Sequence, residues 1–402
     1  MTDKNARDYV ELEDRFGAHN YHSLPVVLTK GEGVFLWDVE GRRYFDFLSA
    51  YSAVNQGHCH PKIVNALIAQ ARTLALTSRA FHNDRLGPFE KYVTELFGYT
   101  RVLPMNSGVE AVETALKLCR KWAYLKKGVP DGKAKIVVCE GNFHGRTIAA
   151  ISASTSEESR AGFGPYLPGF EVIPYNDERT LARACSDPSV AGFLVEPIQG
   201  EAGVVVPDEG YLRRARELCS ERNVLFMADE IQTGLGRTGL MLACDHESVR
   251  PDVLILGKAL SGGMLPVSAV LADDEVMLCI RPGEHGSTYG GNPLACAVAL
   301  AALDVIRDEH LALNAARLGE VFRAGLRAIR SPAIESVRGK GLLTGVVIRA
   351  EGGKTAWEYC LALAKEGLLA KQTRENIIRF APPLVITEEQ LHEALAVIKN
   401  VF

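Results

Sequence analysis

Two residues in the middle of the chain could do chemistry that most side chains cannot. The apolar run 224–228 ends in a carboxylate, Asp229, and a second run, 253–256, ends at Gly257 followed by Lys258. Short apolar runs bounded by turn signals read as buried parallel strands. Both groups would then leave the carboxyl ends of strands, where open α/β sheets place their ligands. A lysine that can lose its charge forms imines, and a carboxylate can hold a pyridinium; pyridoxal phosphate chemistry needs both. Taken alone, such a pair is more often a surface salt-bridge lysine and an ordinary strand-end aspartate, because lysine is so rarely buried. The elements around the pair have to decide.

The chain has 402 residues, enough for two or three domains and a large core. Its 47% hydrophobic and 23% charged residues are ordinary globular values. A net charge of −4 with scattered basic residues leaves no footprint for nucleic acid. The nine cysteines are dispersed and lack a C-x-x-C pair, as expected of reduced thiols that mostly serve as small core residues. His58-Cys59-His60 has no second cluster to complete a metal site, so no metal is expected. No run reaches membrane-span length. The opening Met-Thr-Asp-Lys-Asn-Ala-Arg-Asp has early acids and no apolar stretch, unlike a secretory signal or transit peptide. A cytoplasmic protein is expected, or a mitochondrial-matrix one if a presequence has been removed.

Stepping along the chain, 34–37 and 43–47 flank the turn signal Glu40-Gly41 as a hairpin. A polar loop, 51–60, precedes Pro61, which suits the first turn of a helix. Ser107 and Glu110 have capping-box spacing before a helix that gathers Val112, Ala115, Leu116 and Cys119 on one face. That helix start is a plain cap, or equally a phosphate cradle built from Ser107, Gly108 and free N–H groups. In the second case Glu110 should point away. Apolar runs at 136–139, 170–173, 192–195, 224–228 and 253–256 alternate with amphipathic pieces such as 211–222, which argues for a mainly parallel sheet covered by helices. After Pro293 one long Ala/Leu-rich helical stretch runs to about residue 330. A strand at 341–348, a helix to about 363, a strand at 377–380 and a last helix after Thr387 follow. This texture suggests an N-terminal segment (1–51), a large domain (52–311) and a smaller C-terminal α/β domain (312–402).

Three motifs in order, Ala228-Asp229-Glu230-Ile-Gln232-Thr-Gly-Leu-Gly-Arg-Thr-Gly239, Gly257-Lys258-Ala-Leu-Ser-Gly-Gly263 and Gly286-Ser287-Thr288-Tyr-Gly-Gly-Asn-Pro293, resemble the class III aminotransferases. The resemblance runs from about Gly17 to the end of the chain. Within that family, His19-Asn-Tyr21-His, Val195-Glu196-Pro-Ile-Gln-Gly-Glu201-Ala-Gly203 and Ile378-Arg379-Phe-Ala-Pro-Pro383 are most similar to the ornithine-acting branch. The resemblance implies a fold type I α/β architecture, with a mainly parallel seven-stranded sheet and a smaller C-terminal domain. It implies pyridoxal 5′-phosphate held as a Schiff base on Lys258, with Asp229 on the ring nitrogen, Gln232 on the ring hydroxyl and Phe143 stacked on the ring. Ser107 and Gly108 would hold the phosphate, joined by Ser287 and Thr288 of a partner subunit, so a homodimer with shared active sites is expected.

For substrates the resemblance implies small molecules, ornithine and 2-oxoglutarate. Tyr21, Tyr51 and Arg146 would hold the carboxylate end of ornithine. Arg379, suited to bidentate capture of a carboxylate, would be neutralised by Glu201 until 2-oxoglutarate displaces it. A permanent structural Arg379–Glu201 bridge is the competing reading. Other ω-amine transaminases of the same family, acting on N-acetylornithine, 4-aminobutyrate or lysine, are the nearest alternatives. Two departures stand out: Ser107 where threonine is frequent, and His144 where tryptophan is common beside Phe143. The second puts the stacking environment in question.

Overall fold

The computed structural model describes residues 5–349 and 353–402. Residues 1–4, part of the stretch read for a leader, lie outside the described residues.

The apolar runs do form the expected sheet. Seven strands lie in the order Arg101–Met105, Ser268–Ala272, Val253–Leu256, Leu225–Asp229, Val190–Val195, Lys135–Cys139, Phe170–Ile173. Only Ser268–Ala272 runs against the rest. Alternate residues of each strand enter two separate cores. Ile136, Val138, Leu194, Met227 and Ile255 pack under the helix Gly108–Trp122, whose Val112, Ala115, Leu116 and Cys119 are all buried. Val137, Phe193, Phe226 and Ala228 face Leu181, Leu212, Ala215 and Cys219 on the helices Glu178–Cys185 and Tyr211–Glu221. Covering both faces is what makes these strands read as continuous apolar runs rather than alternating ones. Asp229 is the last residue of its strand and lies opposite Ile255, three residues before Lys258. The chemistry-bearing pair therefore sits at the carboxyl edge of neighbouring parallel strands.

A second sheet is the N-terminal hairpin, Phe35–Asp38 with Arg43–Asp46, widened by Leu28–Glu32 and by Leu368–Leu369, which pairs in parallel with Arg43–Asp46. The third is antiparallel: Ile334–Lys340, Leu343–Ile348, Ile377–Phe380, Lys371–Thr373. Its first strand was not expected. It carries Glu335, Arg338 and Lys340 on a half-exposed edge and so lacks an apolar signature.

The long stretch after Pro293 is two helices, Pro293–Asp308 and Leu311–Arg327. They break at His310, whose φ of 53° ends helical geometry without any glycine or proline to announce it. Eight of the nine cysteines are buried and all are free thiols. His58 and His60 are spent on Asp46 and Glu309 at 2.7 and 2.9 Å. No described helix is long and apolar enough to cross a membrane.

Candidate active site

A cavity of about 200 Å³ opens at the strand ends. It is lined by Gly108, Phe143, Glu201, Asp229, Gln232 and Lys258, together with His144 and Glu196. A further cavity of about 440 Å³ shares Gly108 and Lys258 with it and adds Asn106 and Ser107 at the helix start. An outer cleft of about 750 Å³ is bounded by Tyr21, Tyr51, Phe143, Arg146 and Glu201. Lys258 thus stands between a carboxylate-floored chamber and a helix N-terminus, with the cleft beyond.

At the floor, Asp229 Oδ1 accepts the N–H of Ile231 at 3.2 Å, and Oδ2 meets Nδ1 of the buried His144 at 2.7 Å. Burial lowers the proton affinity of His144, but the hydrogen bond and charge of Asp229 outweigh it, and the imidazole pKa ends above its ordinary value. The ring's Nε2 is buried with no partner among the described residues. His144 is thus a brace for the floor carboxylate. The sequence signalled it only as an unusual histidine beside Phe143, because nothing local fixes which way its ring turns.

Glu196 was quoted in a motif but given no role. Its carboxylate accepts the N–H groups of Phe143 at 2.8 Å and Gly200 at 3.2 Å, which pins the two sides of the chamber together. Burial pushes its pKa up to about 7, against the pull of His144. Because the folded value lies above the ordinary 4.5, the native state holds the proton more tightly. Glu196's contribution to stability is then full below pH 4.5 and lost as pH rises through 7. A Glu196→Gln variant cannot ionise. Denaturant unfolding of the cofactor-free protein should show it gaining on wild type between pH 5 and 8, by on the order of 3 kcal/mol. A stability difference that does not change with pH would contradict this.

Lys258 is half-buried and adopts φ 43°, a conformation that costs a bulky side chain about 1–2 kcal/mol. Burial pushes its ammonium pKa down; Glu201 opposes that and Arg379 adds to it. Tyr51 (φ 63°) and Val204 (φ 56°) are strained in the same sense, and Ser49 to Ser52 form a run of positive φ rather than a plain polar loop. Asp46 steadies that run by accepting the N–H groups of Leu48 and Ser49, each at 2.8 Å. Lys258 lines the chamber and Tyr51 the outer cleft, and strain at such positions is the pattern of a functional site.

Behind Glu201, the buried Arg379, which lines none of these cavities itself, donates from Nη1 to Glu201 Oε1 at 2.6 Å and to Gln232 Oε1 at 3.3 Å, while Gln232 Nε2 reaches Glu201 Oε1 at 3.3 Å. Gln232 can lie there only because residue 200 is glycine: a Cβ would sit 1.6 Å from its Oε1. Despite burial, which raises it, the charges of Arg379 and Lys258 hold the Glu201 carboxyl below its usual range. The Arg379 guanidinium lies 5.2 Å over the Tyr51 ring, and Thr373 Oγ1 anchors the Glu201 carbonyl at 2.6 Å. Arg146, by contrast, is exposed and has no ion pair among the described residues; its guanidinium is 5.8 Å from the Phe143 ring. Tyr21 is 71% exposed at the mouth.

At the helix start the capping box forms as its spacing predicts. Glu110 does not turn away: its Oε2 accepts the Ser107 N–H at 2.6 Å and the Ser107 hydroxyl at 3.0 Å. The N–H groups of Gly108 and Val109 remain as the first turn's donors toward the chamber. Gly145 (φ 124°) brings the 143–146 turn against that first turn; a Cβ there would lie 2.3 Å from Val109 Cγ2. Ser287 Oγ accepts from Asn106 Nδ2 at 2.8 Å, next to Ser107, and Thr288 is exposed; neither lines the cavities.

A buried carboxylate floor, an aromatic wall, a lysine of depressed pKa and a helix N-terminus fit pyridoxal phosphate, whose pyridinium, ring, aldehyde and phosphate need those groups. Comparison with known proteins agrees. Residues 16–402 match the family Aminotransferase class-III, and the chain belongs to that family; it is a pyridoxal-phosphate-dependent transaminase. Among its relatives, the mitochondrial ornithine aminotransferase of Drosophila melanogaster is 62% identical, over 96% of this chain and 90% of that protein. The crystal structure of the ornithine aminotransferase from Toxoplasma gondii ME49 superposes with a TM-score of 0.98 at 49% identity, covering 99% of this chain and 95% of that one. The acetylornithine aminotransferase from Elizabethkingia anophelis is also similar, with a TM-score of 0.91 and 56% identity over 99% of both chains.

Proposed function

We propose that the chain is an ornithine δ-aminotransferase, converting L-ornithine and 2-oxoglutarate to L-glutamate 5-semialdehyde and L-glutamate in two half-reactions. The observation that carries this is the asymmetry of the two arginines. Arg146 is open to a carboxylate, whereas Arg379 is occupied by Glu201 at 2.6 Å. Ornithine has one carboxylate and presents an amine at its far end, which a bare guanidinium would repel. With Arg146, Tyr21 and Tyr51 holding the carboxylate end, the δ-amine points at Lys258, and Glu201 shields it from Arg379. 2-Oxoglutarate has two carboxylates, and both arginines are needed: its α-carboxylate takes the Arg379 fork from Glu201, and Arg146 takes the other.

The cofactor, when bound, supplies an aldehyde that captures the amine and a ring that accepts electrons as the C–H bond breaks. The chain supplies the rest. Lys258 Nζ, kept readily deprotonated by burial, removes and returns the proton at the reacting carbon. Asp229, braced by His144, would hold the proton on the ring nitrogen, Gln232 would bond the ring hydroxyl and Phe143 would cover the ring face. Ser107 and Gly108 receive the phosphate. Ser287 and Thr288 of a second copy complete that end in a homodimer, a reading supported by the exposure of Thr288 and of Tyr289 beside it. The division at 51/52 and 311/312 belongs to the same reading: the seven-stranded sheet falls wholly within 52–311, although Leu368–Leu369 of the C-terminal part pairs with the N-terminal hairpin.

Glu201→Ala should slow the ornithine half-reaction about 10- to 100-fold more than the 2-oxoglutarate half-reaction, measured as single turnovers of the cofactor absorbance. Equal losses in both halves would favour the permanent bridge. The similarity to the Elizabethkingia enzyme favours N-acetylornithine as the second reading. A panel of ornithine, N-acetylornithine, 4-aminobutyrate and lysine compared by kcat/KM separates them.

A further inference from the structure

A cavity of about 190 Å³, distinct from those around Lys258, has no part in the reaction described above. It shares one loop with the active site: Glu196 and Glu201 line the reaction chamber, while Pro197, Ile198 and Val206 line this second cavity. Its volume is roughly that of six liquid waters at ~30 Å³ each, the size of a small metabolite.

Its lining is apolar on one side and carries both signs of charge on the other. Lys340 and Arg213 supply cations, and Glu209 and Glu247 supply carboxylates. None of these four forms an ion pair among the described residues; Glu247 Oε2 accepts the backbone N–H of Arg213 at 2.9 Å. His246 Nε2 lies 3.1 Å from the Thr238 carbonyl oxygen. That oxygen can only accept, so Nε2 carries the hydrogen, and Nδ1 of the neutral ring keeps a lone pair. Burial and the charge of Lys340 both hold the His246 pKa down, which favours the neutral ring. Lys340 and Glu247 are half-buried and Arg213 and Glu209 lie at the exposed rim, so one small cavity carries unpaired charges of both signs, which a ligand bearing both would match.

We propose that this cavity binds a small zwitterionic amino acid with an apolar side chain. The carboxylate meets Lys340 and Arg213, the ammonium meets Glu247 and His246 Nδ1, and the side chain lies on Ile198, Val206 and Leu212. Occupancy is felt at the reaction chamber. Gln199 and Val205 pair through N–H to carbonyl bonds of 3.1 and 2.9 Å, which makes the shared loop a stiff unit. Ile198 also packs in one small core with Leu343, near Lys340, and Ala381, two residues after Arg379.

The test uses the holoenzyme and N-methyl-L-valine, a zwitterion whose secondary amine cannot be transferred as an amino group. Calorimetric titration should show one site per chain, weakened about ten-fold or more in Lys340→Gln and in Glu247→Gln, the loss expected for one charge-assisted contact. Both variants should keep the wild-type kcat for ornithine without the probe. Saturating probe should shift the ornithine KM at least two-fold in wild type and leave Lys340→Gln unmoved. Absence of binding, or equal affinity in wild type and both variants, overturns the site. Binding with an unmoved KM overturns the coupling. Only the KM arm rests on ornithine being the substrate; the calorimetry stands without it.

Discussion

Replacing Lys258 by alanine is expected to lower turnover with ornithine and 2-oxoglutarate by more than about 10⁴-fold, since the residue serves as both covalent anchor and proton carrier. The geometry leaves no substitute. Among the residues lining the reaction chamber Lys258 is the only amine, and its depressed pKa comes from burial beside Arg379. The fold should survive. Lys258 sits in a turn at φ 43°; alanine keeps the same Cβ and so the same backbone strain, while the cost of burying an ammonium is removed. The variant should melt no lower than wild type in cofactor-free form, while its absorbance lacks the band of a lysine-linked cofactor. Turnover near the wild-type rate would remove the basis for every role assigned above.

Asp229→Asn should be the second largest loss. The carboxylate is buried and shared between His144 and the cofactor position, so removing its charge leaves a cationic partner uncompensated. Breaking one side of a buried charge pair costs about 3–5 kcal/mol, or roughly 10²- to 10⁴-fold in rate at 1.4 kcal/mol per decade. The same substitution should act on His144. Its pKa stands above ordinary because burial is outweighed chiefly by Asp229; without that charge, burial is opposed only by the smaller pull of Glu196 and the pKa should fall. Imidazole NMR across a pH series reads that shift in the cofactor-free protein. A rate within ten-fold of wild type, or an unmoved His144 titration, would mean that Asp229 is not the floor charge.

How much of this was legible in the sequence depended on whether local pattern or tertiary contact sets each feature. The parallel strands were legible because burial on both faces writes itself as apolar runs, and Asp229 and Lys258 follow those runs directly. The strand Arg101–Met105 was not, because Pro104 argues against a central strand; the sheet accommodates it by placing that strand at an edge. Ser268–Ala272 is short and built of small residues, and its reversed direction follows from its neighbours. The break at His310 leaves no proline or glycine behind.

In the site, residues tied to a motif by type (Gln232, Glu201, Arg379) could be named, and the structure brings them within 3.3 Å of one another. What could not be read was direction. The His144 ring turns to Asp229, Glu110 turns back on Ser107, and Glu196 clamps two backbone N–H groups because contacts far along the chain orient them. The strain at Tyr51 is likewise invisible locally, since Ser49 to Ser52 contain no glycine.

The central claim is that the δ-amine, held at Lys258 by an open Arg146 and a shielded Arg379, is the group transferred. The most direct measurement follows nitrogen. The holoenzyme would be given 2-oxoglutarate and ornithine isotopically labelled only at the δ-nitrogen, and the products resolved by NMR and mass spectrometry. The label should appear in glutamate, and the carbon product should be glutamate 5-semialdehyde in its cyclised form, in equal amount. Label retained in the ornithine-derived product, with the α-amine transferred instead, would contradict it.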